Sequence, residues 1–180
     1  MIEMILAITV ITIAVLALMA SYDEAFFSLH SSARKTAAAS LAESQLELYS
    51  ALYSSQSAFS SIGLSSTEVT TAKASDTYYS TDESSLTPSN TTEVSNASCT
   101  STSTLPQCMP VQTNVVGTDG KKYRIETFVR DVSQSLTCTT TPPCPTTTER
   151  DVTVIVRDPN VSGSPKVYTV TAAFDQGPRS

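Results

Sequence analysis

Residues 1–20 of the chain, MIEMILAITVITIAVLALMA, decide the fold class. From Met4 to Ala20 no residue is charged, and the only polar side chains belong to Thr9 and Thr12. A threonine hydroxyl can donate to a backbone carbonyl one turn back, so both threonines fit an apolar helix. As a helix this run spans roughly 25 Å, close to the ~30 Å hydrocarbon thickness of a bilayer. We therefore expect an apolar helix that is buried in a membrane or against other protein.

The position of Glu3 separates three interpretations of this helix. A secretory signal peptide begins with basic residues and has a shorter apolar run, whereas here a carboxylate comes first. An uncleaved single-span anchor leaves Glu3 unexplained and has no preceding Lys or Arg to set its orientation. In the third interpretation, a basic leader has been removed and a new amino terminus lies beside Glu3.

The third interpretation predicts a role for the carboxylate. When apolar helices of several copies pack side by side, Glu3 of one copy can meet the terminal amine of the next. An unpaired charge in an apolar environment typically costs about 3–5 kcal/mol, so the paired stagger is favoured. Glu3 is therefore predicted to set the register between copies.

The amino-terminal region resembles that of bacterial type IV pilins and the related pseudopilins. The resemblance rests on Ile2-Glu3-Met4 before the aliphatic run, and on AASLAESQLEL at residues 38–48. It covers roughly the first 53 residues. The chain departs from the family in two respects. Family members usually carry two more residues before the glutamate, which implies a mature terminus before Met1. Many also have Gly or Pro in the second half of the apolar segment, where the helix unwinds on assembly, whereas this chain has neither before Gly63.

The resemblance implies an α+β fold, with a long N-terminal helix packed against a C-terminal antiparallel sheet of about four strands. It also implies a pilin, which is a structural subunit of an extracellular type IV pilus filament used for adhesion, twitching motility or DNA uptake. The implied partners are identical subunits, the cytoplasmic membrane before assembly, a leader peptidase that trims and methylates the terminus, and the ATP-driven pilus assembly machinery. Apolar residues expected in the filament core are Ile2, Met4, Ile5, Leu6, Ile8, Val10, Ile11, Ile13, Val15, Leu16 and Leu18.

Two alternatives to a pilus subunit stay open. One is a minor pilin or a pseudopilin of a type II secretion system, which shares the anchor but forms a short periplasmic assembly. The other belongs to a different class of protein, a binding ectodomain held by a single membrane span.

The helix is predicted to continue from the membrane segment, residues 1–22, through an amphipathic part, residues 23–53, for roughly 80 Å in all. Good helix formers dominate this part and no helix breaker interrupts it. Its apolar residues follow two neighbouring stripes at helical spacing. The first stripe contains Leu41, Leu48 and Leu52, with Gln45 between them, and the second contains Ala42, Leu46, Tyr49 and Tyr53. Two stripes favour a helix that packs a head on one side and other subunits on the other.

Residues 54–110 are rich in Ser and Thr, and we expect irregular, partly extended loops there. Asn90, Asn96 and Asn160 match the acceptor pattern for N-glycosylation. Such matches arise by chance in a Ser/Thr-rich sequence, so glycosylation and a merely hydrophilic coat both stay open.

The four cysteines are expected to form disulfides, because the resemblance implies an exported chain. Their spacing matches neither a zinc site nor a redox motif. Among the three possible connectivities we favour the local pairs Cys99–Cys108 and Cys138–Cys144. Each such loop contributes about 2–3 kcal/mol in the chain-entropy model.

Residues 111–175 are predicted to form an antiparallel sheet, followed by a tail at residues 176–180. The predicted strands are VQTNVV and KKYRIETFVRDV, joined by a hairpin turn at Gly117–Gly120, then Val152–Val156 and Val167–Phe174. A meander of four such strands can cover one face of the long helix.

Charge and composition favour a structural protein. The net charge of −6 does not indicate a nucleic-acid surface. The sequence contains no nucleophile elbow, no Gly-rich phosphate loop and no cluster of His, Asp and Cys. We therefore predict no enzymatic activity, no cofactor and no metal site.

Overall fold

The computed structural model describes residues 2–54, 61–87, 91–100, 105–134 and 147–175. The chain divides into two compact units, Met1–Thr36 and Ala37–Ser180. The sheet and the short helices belong to the second unit.

The N-terminal helix α1 runs without interruption from Ile2 to Ser54, as predicted. Its hydroxyl groups donate to carbonyl oxygens in the preceding turn: Thr9 Oγ1 to Leu6 at 2.8 Å, Thr12 Oγ1 to Ile8 at 2.7 Å and Ser21 Oγ to Ala17 at 3.0 Å. These bonds satisfy the polar groups within the helix itself. The segment from Thr12 to Ser21, where the resemblance would place unwinding, is therefore regular helix.

The expectation of irregular structure throughout residues 54–110 is wrong for two segments. Helix α2 spans Ser66–Ser75 and helix α3 spans Thr77–Ser85. Ser65 caps α2 by accepting from the amide of Glu68, and Asp76 caps α3 by accepting from the amides of Tyr78 and Tyr79. These caps accept from amides that the first turn of a helix leaves unpaired. The polar composition of residues 54–110 had suggested loops instead of helices. Val69, Ala72 and Tyr79 anchor both helices in the core.

The sheet has five antiparallel strands in the second unit. Strand β1 is Thr91–Glu93, β2 is Val111–Val116, β3 is Lys122–Gln134, β4 is Thr147–Arg157 and β5 is Lys166–Asp175. Strands β2 to β5 form the predicted meander, because each pairs with the next along the chain. Strand β1 was not predicted. It pairs with residues 130–132 of β3, whereas β2 pairs with residues 122–126 of the same strand. The long strand β3 therefore joins the middle of the chain to the sheet.

The hairpin between β2 and β3 depends on glycine at two positions. The Gly117 amide donates to the carbonyl of Lys121 at 2.8 Å. A Cβ atom at Gly117 would lie 2.7 Å from the Tyr123 ring, so only glycine fits there. Gly120 has a φ of +74°, in the left-handed region that favours glycine.

The second half of α1 packs against one face of the sheet. Val152, Val154 and Val156 are fully buried on this face, as the alternation of a strand predicts. The Tyr53 ring packs on Phe174 of β5 with centroids 5.4 Å apart. The Tyr53 hydroxyl also donates to the carbonyl of Asp175 at 2.6 Å. Ala42 and Tyr49 of the second predicted stripe are buried, as is Gln45 of the first.

Helices α2 and α3 cover part of the opposite face. The Tyr79 ring of α3 stacks on Phe128 of β3 with centroids 4.5 Å apart, and its hydroxyl donates to the carbonyl of Thr127 at 3.4 Å. Within the second unit the sheet thus lies between α1 on one face and the two short helices on the other.

Candidate membrane and assembly surface

The first half of α1 carries a continuous apolar surface that the rest of the chain does not cover. α1 is long and apolar enough to cross a membrane, and its apolar window is entirely unburied. The residues predicted for the filament core are all exposed, with exposed fractions between 46% and 76%: Ile2, Met4, Ile5, Leu6, Ile8, Val10, Ile11, Ile13, Val15, Leu16 and Leu18. Burying one Leu, Ile or Val side chain is worth about 1.5–3 kcal/mol, so this surface needs a lipid or protein environment. The helix is compatible with membrane anchoring.

The apolar surface extends beyond the span-length segment. Phe26, Phe27 and Leu29 are also exposed, and the exposed fraction of Phe27 reaches 83%. Asp23 and Glu24 precede these residues, so two adjacent acidic side chains separate them from the apolar run that ends at Ala20. Three large apolar side chains there provide contact area for another protein.

Glu3 lies in the first turn of α1. A carboxylate is favourable at this end, because the unpaired amides of the first turn give it a partial positive charge. Among the described residues no cation forms an ion pair with Glu3. The predicted register role therefore requires a partner from outside these residues.

The structure confirms the Cys99–Cys108 disulfide, whose Cα atoms are 5.3 Å apart. Cys138 and Cys144 lie outside the described residues, so their pairing stays a prediction. Both Cys99 and Cys108 are buried.

The disulfide closes the loop that contacts the second half of α1. Gln45 Nε2 donates to the carbonyl of Pro106 at 3.0 Å, and the Tyr49 hydroxyl donates to that of Gln107 at 2.9 Å. Burial raises the pKa of Tyr49 far above its ordinary value, so the hydroxyl remains a donor at every physiological pH. The loop thus contacts α1 through hydrogen bonds that pH does not disturb.

Two of the predicted glycosylation sites lie within the described residues. The side-chain amide of Asn96 donates to the carbonyl of Ser61 at 2.7 Å, and that of Asn160 donates to the carbonyl of Lys122 at 3.0 Å. Asn90 lies outside the described residues. Modification at all three positions stays a prediction.

A buried ion-pair network joins α3 to the sheet, and the sequence analysis missed it. Arg157 of β4 contacts Asp82 of α3 at 2.5 Å and Glu126 of β3 at 3.2 Å. Glu126 also accepts from Arg124 at 2.7 Å, and Arg124 pairs with Asp76 at the start of α3. Burial raises the pKa of Glu126, and the guanidinium groups of Arg124 and Arg157 limit that rise. The network fixes the position of α3 on the sheet.

One sequence signal could have revealed this network. In β3, Arg124, Glu126 and Arg130 occupy alternate positions within a strand whose other face is apolar. Because side chains alternate across a strand, these three share one face with Phe128. A charged face that also carries an aromatic residue indicates a second covering layer rather than solvent.

No known protein-family model matches the chain, and no curated protein or solved structure shows significant similarity to it. The resemblance to type IV pilins therefore stays a prediction based on the amino-terminal residues.

Proposed function

We propose that this protein is a pilin-like structural subunit that polymerises through α1 into an extracellular filament of the type IV pilus kind. One observation carries the proposal. The compact unit Ala37–Ser180, which we call the head, includes the second half of α1, and the first half of α1 is apolar and uncovered.

The apolar half of α1 needs burial both before and after assembly. A bilayer can supply this before assembly, and helices of other copies can supply it afterwards. Transfer from lipid to a helix bundle then costs little, because apolar area stays buried throughout. The exposed Phe27 and Leu29 add contact area that lipid would not cover.

Glu3 selects the stagger between copies in this proposal. Its carboxylate pairs with the terminal amine of a neighbouring copy, which requires removal of a leader before assembly. Contacts of this head-to-tail kind extend a filament without closing it. From the resemblance, a leader peptidase exposes and methylates the terminus, and an ATP-driven machinery adds subunits. The same resemblance suggests adhesion, twitching motility or DNA uptake as the use of the filament.

The experiment is electron microscopy of material sheared from cells that produce the full chain, with antibody labelling of the head. Long labelled filaments are the expected result. Short labelled assemblies confined to the periplasm would instead indicate a minor pilin or a secretion pseudopilin. Labelling confined to the membrane, with the chain as a dispersed monomer, would overturn the proposal in favour of an anchored ectodomain.

A further inference from the structure

A cleft of about 400 Å³ lies over the sheet face that α3 covers only in part. Volumes of this size are typical of sites for small ligands. Residues from α3, the turn that follows it and four strands line the cleft: Ser85, Leu86, Thr91, Phe128, Arg130, Val132, Asp151, Thr153 and Thr171.

Arg130 contributes a hydrogen-bond donor without an acceptor. The residue is 94% buried, given its exposed fraction of 6%. One terminal nitrogen pairs with Glu83 and the other donates to Thr91 Oγ1 at 3.1 Å. Within the described part of the chain, its Nε has no hydrogen-bond partner. Because Glu83 balances its charge, Arg130 adds no net positive charge to the cleft.

Asp151 contributes a negative charge without a counter-ion. It lies directly opposite Arg130 in the β3–β4 pairing, but Arg130 is held by Glu83 instead. Among the described residues no Lys or Arg forms an ion pair with Asp151. Burial raises the pKa of Asp151, and the nearby charge of Glu149 raises it further. A cation placed in the cleft would relieve both effects.

The neighbouring charges leave Asp151 as the uncompensated group. Lys73 pairs with Glu83 and Glu93, while Arg130 pairs with Glu83, so two cations face two carboxylates. This cluster is neutral, so it does not balance the negative charge of Asp151. An anionic ligand is therefore disfavoured and a cationic one favoured.

The rest of the lining combines hydroxyl groups with apolar surface. Thr153 Oγ1 and Thr171 Oγ1 are 2.9 Å apart and form one hydrogen bond between them, which leaves lone pairs for further donors. Leu86, Phe128 and Val132 supply apolar contacts. A sugar ring matches this lining, because its edge carries hydroxyl groups and its faces carry C–H groups.

We infer that the cleft binds an amino sugar of monosaccharide size, with its protonated amine at Asp151 and its hydroxyl groups at the Thr153 and Thr171 side chains. This is a binding activity beyond the structural role proposed above, and it does not depend on polymerisation. On a filament surface it would place one sugar site on every subunit.

The test titrates the full chain in detergent micelles with glucosamine, N-acetylglucosamine and glucose, and follows backbone amide shifts by NMR. At about pH 6.5, below the ordinary pKa of an amine, glucosamine is expected to bind about tenfold more tightly than the two neutral sugars. The shifts should centre on the strand residues that line the cleft. Equal affinities for the three sugars, or no shifts at the cleft, would overturn the inference.

Variants assign the binding to the cleft. Asp151→Asn should lower the affinity for glucosamine about tenfold, to the level of the neutral sugars. Thr171→Val, at an exposed position of β5, should weaken all three sugars without unfolding the head. Glu43→Gln makes the same charge change on exposed α1, which packs on the opposite face of the sheet, and should change nothing. Unchanged glucosamine affinity in folded Asp151→Asn and Thr171→Val variants would contradict the inference.

Discussion

At the scale of single residues, Arg157 and Asp82 form the most deeply buried of the described ion pairs between α3 and the sheet. Their side chains are both more than nine-tenths buried, and Asp82 also accepts from Lys166 at 2.8 Å. A buried pair of this kind adds little net stability over apolar packing, but removing one partner leaves an uncompensated charge. We therefore expect a substitution of Asp82 to destabilise the head.

Asp82→Asn is expected to lower the free energy of unfolding of the head by about 3 kcal/mol. Arg157 would keep an amide oxygen as acceptor but lose one of the two carboxylates that balance its charge. Glu47→Gln, on an exposed position of α1, is the matched control and should stay within about 0.5 kcal/mol of the wild type. Urea unfolding of the full chain in micelles measures both. An effect of Asp82→Asn as small as that of the control would contradict the importance of the network.

The free energy of unfolding of the head is expected to depend on pH through Asp76. Burial raises the pKa of Asp76, but Arg124 and the amides of Tyr78 and Tyr79 together lower it below its ordinary value. A lowered folded-state pKa gives stability that is present above the unfolded-state pKa, near 4, and lost as the pH falls through the folded-state pKa. Wild-type protein should therefore lose more stability than Asp76→Asn between about pH 5 and pH 2.

The comparison with Asp76→Asn takes account of an opposing effect. The pKa of Glu126 is raised in the folded state, so protonation of Glu126 favours folding as the pH falls. That contribution is present in both proteins, and Arg124, which pairs with both carboxylates, links the two titrations. If the unfolding free energies of the wild type and of Asp76→Asn change equally with pH, the proposed role of Asp76 is ruled out. The asparagine side chain keeps the helix cap, so a loss of α3 does not confuse the result.

At the scale of elements, sequence patterns predict α1 and strands β2 to β5 because their signals are local. A long apolar run without Gly or Pro, alternation of β-branched residues and a Gly-bounded turn each act over a few neighbouring residues. Helices α2 and α3 have local caps at Ser65 and Asp76, but they escape prediction because they are short and polar and are anchored by distant contacts. Tyr79 packs on Phe128, which lies nearly fifty residues away in the sequence, and no local pattern encodes that contact.

The Cys99–Cys108 disulfide is expected to stabilise the loop that contacts α1. Replacing both cysteines by alanine should lower the free energy of unfolding by about 2–3 kcal/mol. It should also increase hydrogen exchange of the amides near Gln45 and Tyr49, because their acceptors at Pro106 and Gln107 lose the constraint. Ser98→Ala, at the exposed position just before Cys99, is the control. Unchanged exchange near Tyr49 in the double variant would show that the loop holds its position without the disulfide.

At the scale of the whole molecule, the two parts of the chain differ in what their sequences reveal. The uncovered apolar surface of α1 is evident from the first twenty residues, since a helix with every side apolar must be buried by something outside itself. The cleft is not evident from the sequence, because the register of β3 and β4 brings Arg130 and Asp151 together. A one-residue shift of that register would place Asp151 on the other face.

The proposed exchange of lipid for other copies does not require the packing of the head to change. The apolar half of α1 makes no demand on the packing of the head, whose core draws on α1 only from Ala37 onward. Exchange of lipid for other copies would therefore leave the head unchanged. In the proposed function, Glu3 is the group that distinguishes the two environments.

The most direct measurement compares Glu3→Ala with Glu24→Ala, a matched change at another exposed carboxylate of α1, in cells that produce each variant. Quantitative immunoblots give the ratio of chain in sheared filaments to chain in the membrane. Glu3→Ala should keep its membrane level and lower that ratio about tenfold or more, because the neighbouring terminal amine loses its partner. Glu24→Ala should leave the ratio near that of the wild type. A Glu3→Ala variant that enters filaments as efficiently as the wild type would contradict the account.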